Sequence, residues 1–195
     1  MISPGFPDPV LQAQSTFRAI LDAIARPGTV QPNSQTIVAP EPFSSGAAAI
    51  ALTLCDHDTP VWLDDRLRAN EAVGEWLRFH CSCPLVANPG DAAFAFAGNP
   101  EDFPPFDAFD QGTGDYPDRS TTIVLAVESF DVQPCLKLAG PGIRDRISFG
   151  AGPLPPNIAE RLARNRLLFP RGVDLFLATA TAVAGLPRSV RIVEN

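Results

Sequence analysis

Residues 123–127 read Ile-Val-Leu-Ala-Val, apolar at every position. A strand of that kind buries both rows of side chains, so it belongs in the middle of a sheet covered on both faces. Helical and strand patterns alternate around it, which predicts an α/β layered domain with a mixed sheet. Two polar stretches flank the run. Before it stands Gly-Thr-Gly-Asp-Tyr-Pro-Asp-Arg-Ser-Thr-Thr, residues 112–122, which puts Asp115, Asp118, Arg119 and Ser120 at the start of the strand. After it, a second strand over residues 135–139 runs into Gly140-Pro141-Gly142 and then Arg144. Bare glycine backbone beside arginines makes either an anion pocket or a well-specified turn, and the residues alone leave both open.

Elsewhere the pattern is regular. Asp8-Pro9 is an N-cap followed by a first-turn proline. Phe17, Ile20, Leu21 and Ile24 then fall at i, i+3, i+4 and i+7, predicting a helix that buries that stripe until Arg26-Pro27-Gly28 stops it. A second, alanine-rich helix is expected over residues 44–54, and a third carries Ala69, Val73, Trp76, Leu77 and His80 on one stripe. A fourth opens at Pro155-Pro156, runs to Leu168 and carries Arg161, Arg164 and Arg166. Short strands are expected over residues 36–38, 61–63, 85–87, 92–97, 147–149, 173–178 and 190–193. The prolines, 21 in 195 residues, are spread as punctuation between short elements. The longest loop is expected over residues 99–109.

The length suits one domain over residues 1–195 with one sizeable core. No apolar run is long enough to span a bilayer, and the first residues lack the basic start and apolar core of a signal peptide. The expected location is the cytoplasm. A net charge of −7 argues against a nucleic-acid backbone as partner. Only 19% of residues are charged, below the roughly 25% of an ordinary soluble domain. So few charges suit a chain that covers part of its surface with another protein.

Several chemistries are weighed and set aside. His80-Cys81-Ser82-Cys83, with Cys55 and His57, invites a metal reading, but the C-x-C spacing is too short for a structural zinc knuckle. His80 on an apolar stripe reads as a hydrogen-bonded core histidine. The four cysteines (Cys135 is the fourth) are expected to be unpaired. Lys137 is the single lysine, so any Schiff-base chemistry would have to use it. Its expected role is an edge-strand charge. There is no nucleophile elbow, P-loop or dinucleotide fingerprint. Arg119, Ser120, Gly140, Gly142, Arg144 and Arg171 remain as candidate anion-binding residues. The plain alternative pairs Arg119 with Asp115 or Asp118, and Arg144 with Asp145.

Six short motifs stand in a familiar order. They are Phe17-Arg18 with Ala25-Arg26-Pro27-Gly28, Trp76 through His80, and Tyr116-Pro117-Asp118-Arg119-Ser120 with Thr122. Leu138-Ala139-Gly140-Pro141-Gly142-Ile143, Phe169-Pro170-Arg171-Gly172-Val173-Asp174 and Leu186-Pro187-Arg188 follow. Together, over nearly the whole chain, they resemble the PhnH subunit family of the carbon–phosphorus lyase system of phosphonate catabolism.

The resemblance implies a homodimeric three-layer αβα sandwich, similar to the large domain of pyridoxal-phosphate-dependent transferases but without the cofactor site. It implies work in a core complex with companion subunits that transfers an alkylphosphonate to the ribose C1 of ATP, displacing adenine, before the C–P bond is broken. Nucleosidase chemistry falls to a companion. This chain would then be an accessory or scaffolding member with no catalytic residue, cofactor or metal of its own. The alternative is a subunit that lends a phosphate or nucleotide pocket near Arg119 and Gly140–Gly142. The Cys81-Ser82-Cys83 segment is where the chain is expected to depart from its relatives.

Overall fold

The computed structural model describes residues 2–33, 37–133 and 136–193. Helix α1 (Pro9–Ala25) starts where Asp8 accepts the Leu11 amide hydrogen at 3.1 Å. It leads to β1 (Val30–Pro32), α2 (Ser45–Leu54) and β2 (Val61–Leu63). The short α3 (Asp65–Arg68), α4 (Glu71–Cys81), β3 (Leu85–Val86) and β4 (Phe94–Ala97) come next. Then follow β5 (Thr122–Ala126), β6 (Ser129–Phe130), β7 (Leu136–Ala139), β8 (Ile147–Phe149) and β9 (Ala151–Gly152). The chain closes with α5 (Ile158–Leu167), β10 (Asp174–Ala178), β11 (Ala182–Leu186) and β12 (Arg191–Ile192).

Seven strands form one mixed sheet in the order β1-β11-β10-β5-β4-β2-β3. The five from β10 to β3 run parallel, and β11 and β1 add antiparallel at one side. As the apolar run requires, β5 lies in the interior, with Ile123, Val124 and Leu125 fully buried. Its alternation splits them between two cores. Val124 joins Phe96, Phe176 and the buried faces of α1, α2 and α4. Ile123 and Leu125 join Trp62, Leu175, Leu177 and Leu162 of α5 on the other face. That second face is only partly helical. A small sheet, β12-β7-β8, and three phenylalanines complete it.

Those phenylalanines lie in the long loop expected over residues 99–109. The 99–109 stretch contains two three-ten turns, and Phe103, Phe106 and Phe109 are buried beneath them. Phe103 and Phe109 stack at 5.1 Å, and both meet Trp62 edge-on. Recurrence every third residue, not length, decides the fate of this segment: one face of each tight turn points inward.

Some expectations shift. In α1 the buried side chains are Thr16, Ile20 and Ala23, while Phe17 and Leu21 remain about half exposed. No strand forms at Ile37 and Val38, and Thr36 lies outside the described residues. The third predicted helix is two, because Asp64 caps α3 and Asn70 caps α4 afresh. Strand β11 was not expected at all. Its Ala-Val-Ala-Gly-Leu sequence has low strand preference. Gly185 is required there, since a Cβ would stand 2.8 Å from the Ala23 backbone where α1 crosses the strand.

Helix α2 shows the same economy of space. It is buried almost all round, and a Cβ on Gly46 would fall 1.9 Å from the carbonyl oxygen of Thr179, beyond the end of β10. A backbone carbonyl cannot yield as a side chain can. Gly46→Ala is therefore expected to cost about 3 kcal/mol, the upper end for overpacking, read as a lowered urea midpoint at unchanged slope. A change within about 0.5 kcal/mol would contradict this close approach.

Candidate functional site

Strand pairing brings three of the six motifs to one place. Because β10 is parallel to β5, Asp174 stands opposite Thr122. Because β11 is antiparallel to β10, the end of β11 at Leu186 returns beside Leu175. Arg188, two residues on, therefore lies over the amino-terminal edge of β10 and β5. Its Nε donates to both Asp174 carboxylate oxygens, at 3.1 and 3.2 Å. Its Nη2 donates to Ser120 Oγ at 2.6 Å and also to Asp174. Its Nη1 donates to the carbonyls of Pro117 and Pro170. The Arg188 backbone N–H donates to Asp174 as well, at 2.8 Å.

A guanidinium has five N–H donors, and here each has an acceptor inside the chain. Arg188 is 13% and Asp174 24% exposed along the side chain, so the pair is largely out of water. The clamp joins the 116–120 turn, the 169–174 segment and the end of β11. Sequence reasoning had singled out Arg119 and Arg171. The signal for Arg188 was present in Leu186-Pro187-Arg188, but nothing in one dimension shows that a residue 68 positions from Ser120 donates to it.

Ser120, buried at 6% exposure, thus has its hydroxyl engaged by Arg188. Arg119 lies exposed with its guanidinium 4.2 Å from the Tyr116 ring centre. Arg171 is exposed at the same edge, its backbone N–H bonded to the Leu168 carbonyl at 3.0 Å. Gly140 and Gly142 both have positive φ. A Cβ on Gly140 would meet the Ser189 carbonyl at 3.0 Å, and one on Gly142 the Ala25 carbonyl at 2.1 Å. Gly142, Arg144 and Arg146 line an open groove of about 490 Å³ with Pro27 and Thr29 beside the end of α1. Arg119, Ser120 and Arg171 are not in its lining. The local ion pairs proposed for Arg119 and Arg144 are not formed: among the described residues neither arginine lies within an ion pair.

The opposite edge holds a feature the sequence reading missed. Open parallel sheets bind ligands outside the carboxyl ends of their strands, at the point where successive connections turn opposite ways. Here that point lies between β2, whose connection runs to β3 at one side, and β4, whose connection runs to β5 at the other. Asp64, just after β2, spans it. One carboxylate oxygen accepts the Leu67 amide hydrogen and the other that of Asn99, each at 2.8 Å. The backbone donors converging there are already met by an internal anion.

Cys55, Cys81 and Cys83 are buried and free, and Cys135 lies outside the described residues. Burial pushes the Cys55 thiol up from its ordinary pKa. His80 Nε2 sits 2.9 Å from the Ser3 carbonyl, which also accepts from Trp76 Nε1. The described residues contain no group of three His, Cys, Asp or Glu side chains placed to hold a metal. Lys137 is exposed on β7, the middle strand of the small sheet, so it does not guard an edge.

Arg188→Ala would leave Asp174 half-buried without its cation and release the carbonyls of Pro117 and Pro170. The expected loss is about 3 kcal/mol or more, with no rescue by Arg188→Lys, whose three donors cannot meet these acceptors. Arg119→Ala is expected to cost about 0.5 kcal/mol or less. Denaturant melts of the three variants check both statements, and equal losses at 119 and 188 would refute the distinction.

A protein of Rhizobium meliloti (strain 1021), "Alpha-D-ribose 1-methylphosphonate 5-triphosphate synthase subunit PhnH", is 42% identical over 190 residues, 97% of this chain and 94% of its own length. A "Putative C-P lyase subunit protein HtxG" of Stutzerimonas stutzeri is 33% identical over 81 residues, 42% of each chain. The family described as "Bacterial phosphonate metabolism protein (PhnH)" matches residues 4–193. The match contains all six motifs, including the three that meet at Arg188, and the chain belongs to the PhnH family of bacterial phosphonate metabolism proteins.

Proposed function

We propose that this chain is an accessory, assembly-forming subunit of a carbon–phosphorus lyase core complex. In that role it supports the transfer of an alkylphosphonate to the ribose C1 of ATP, the step that yields a ribose 1-phosphonate 5-triphosphate. The relative from Rhizobium meliloti is named as a subunit of such a synthase and aligns over nearly the full length of both chains. We take the chain to act as one domain, as a homodimer in the cytoplasm, with a fold similar to the large domain of the pyridoxal-phosphate-dependent transferases.

The observation that carries the assembly reading is the outer face of α1. Val10, Leu11, Phe17 and Leu21 project from it, Val10 at 77% exposure, and Val30 is exposed on the neighbouring edge strand β1. Apolar side chains clustered on a helix and an adjoining edge strand mark a protein contact. The Arg188 clamp fits the same role, since its cation is spent on holding the chain's own segments.

A second reading is a phosphate or nucleotide pocket drawing on Arg119, Ser120, Gly140, Gly142, Arg144 and Arg171. It is favoured by one observation: Arg119 and Arg144 carry their charge with no carboxylate partner among the described residues. ATP binding lost on Arg119→Ala or Arg144→Ala would support it.

Co-expression with the other subunits of a carbon–phosphorus lyase system tests the first reading. The unaltered chain is expected to elute with them as one complex. Val10→Ser with Leu11→Ser, the two most exposed apolar side chains of α1, is expected to weaken assembly by about tenfold or more while the thermal midpoint of the isolated chain holds. Full assembly by the double variant would remove α1 from the interface, and failure of the unaltered chain to assemble would refute the role.

A further inference from the structure

A cleft of about 240 Å³ opens between α5 and the loop that joins β4 to β5, and a hollow of about 180 Å³ adjoins it. Neither is lined by a residue of the Arg188 clamp or the glycine turn; Pro105, Arg161 and Arg164 line the two. Arg161 is the notable member. Its Nε donates to the Pro156 carbonyl at 3.0 Å, and its Nη1 to the carbonyls of Phe103 and Pro104 at 3.0 and 2.8 Å. Three main-chain acceptors from two segments fix the fork in place, so little freedom remains to be lost on binding. Among the described residues Nη2 has no acceptor and no carboxylate lies within ion-pair distance of Arg161. Partial burial lowers the guanidinium pKa, while the Asp107 charge opposes that shift.

Acceptors stand on the same cleft. Gln111 spends its amide hydrogens on the carbonyls of Phe106 and Phe109, at 2.6 and 2.8 Å. That fixes the side chain and leaves its Oε1 without a donor among the described residues. The Asp107 carboxylate also lines the cleft and forms no ion pair among the described residues. Arg164 is already tied to Glu160 at 2.6 Å. Pro105, Phe106 and Leu168 supply apolar wall between these poles. One open cation, one open carboxylate, one free amide oxygen and a short apolar span make a neutral site of divided charge. A plain anion would face the Asp107 charge; a plain cation would face Arg161.

We propose that this cleft binds a small zwitterion of the aminoalkylphosphonate type, its oxyanion on Arg161 Nη2, its ammonium on Asp107 and Gln111 Oε1, and its alkyl chain against Phe106. That the oxyanion is a phosphonate rests on the function proposed above; the pattern of charge in the cleft does not.

Calorimetric titration of the purified chain with 2-aminoethylphosphonate, methylphosphonate, β-alanine and ATP tests this. The aminoalkylphosphonate is expected to saturate, with methylphosphonate and ATP weaker by about tenfold or more. Arg161→Lys keeps the charge but not the fork and is expected to weaken binding by about tenfold. Because Arg161 also holds the 103–104 loop, the deciding variant is Asp107→Asn, which breaks no hydrogen bond of the fold. It is expected to bring 2-aminoethylphosphonate down to within about threefold of methylphosphonate. Absence of saturation by roughly 10 mM, tighter binding of ATP or methylphosphonate, or an unchanged preference in Asp107→Asn would overturn the proposal. Equal binding of β-alanine would refute the phosphonate assignment and leave a zwitterion site for carboxylates. None of these results touches assembly through α1, which is read separately by co-elution.

Discussion

The Arg188–Asp174 pair organises the amino-terminal edge of the sheet. Three chain segments far apart in sequence end there with polar backbone exposed: the 116–120 turn, the 169–174 segment and the end of β11. A guanidinium is the one side chain with enough directed donors to satisfy a carboxylate, a hydroxyl and two carbonyls together. Removing such a charge from water is costly unless every donor is met. Here all five are met. The pair is consequently better read as the pin that sets where β5 and β10 begin and β11 ends than as a reagent waiting for substrate.

The two edges of the sheet thus share a logic. At the carboxyl edge, where an open parallel sheet ordinarily takes its ligand, the Asp64 carboxylate occupies the converging amides of Leu67 and Asn99. At the amino edge, Arg188 spends its charge internally. Both devices trade a binding opportunity for rigidity, which suits a member of the PhnH family proposed to work through contacts with other subunits. What stays open lies outside these pins: the apolar face of α1, the unpaired arginines at 119 and 144, and the cleft around Arg161.

Much of this architecture is legible in the sequence, for physical reasons that differ by element. The 123–127 run declares an interior strand because no other place buries both rows of its side chains. Asp8-Pro9 declares a helix start because capping is local chemistry. Strand β11 is illegible because alanine and glycine carry no strand preference; α1 demands their smallness from across the fold. The rotation of the α1 stripe, with Phe17 outside and Thr16 inside, is set by packing on β11 and α2 and not by apolar spacing. Arg119, Ser120 and Arg171, read from the sequence as candidate anion-binding residues, fall in the segments that Arg188 joins, and the six-motif order pointed to the family. The centre of that neighbourhood is nonetheless Arg188, whose partners lie 14 to 71 positions away, a convergence that only strand pairing reveals.

The central claim is that Arg188 is wholly engaged by its own chain. Nitrogen-15 NMR of the arginine side chains reads this directly, because a guanidinium held on every donor rotates slowly and shows its Nη hydrogens as separate signals. The account predicts separate, slowly exchanging Nη signals for Arg188, unmoved when ATP or an alkylphosphonate is added. A single averaged Arg188 signal, or one that shifts on addition of either ligand, would contradict it and return the amino-terminal edge to the list of binding sites.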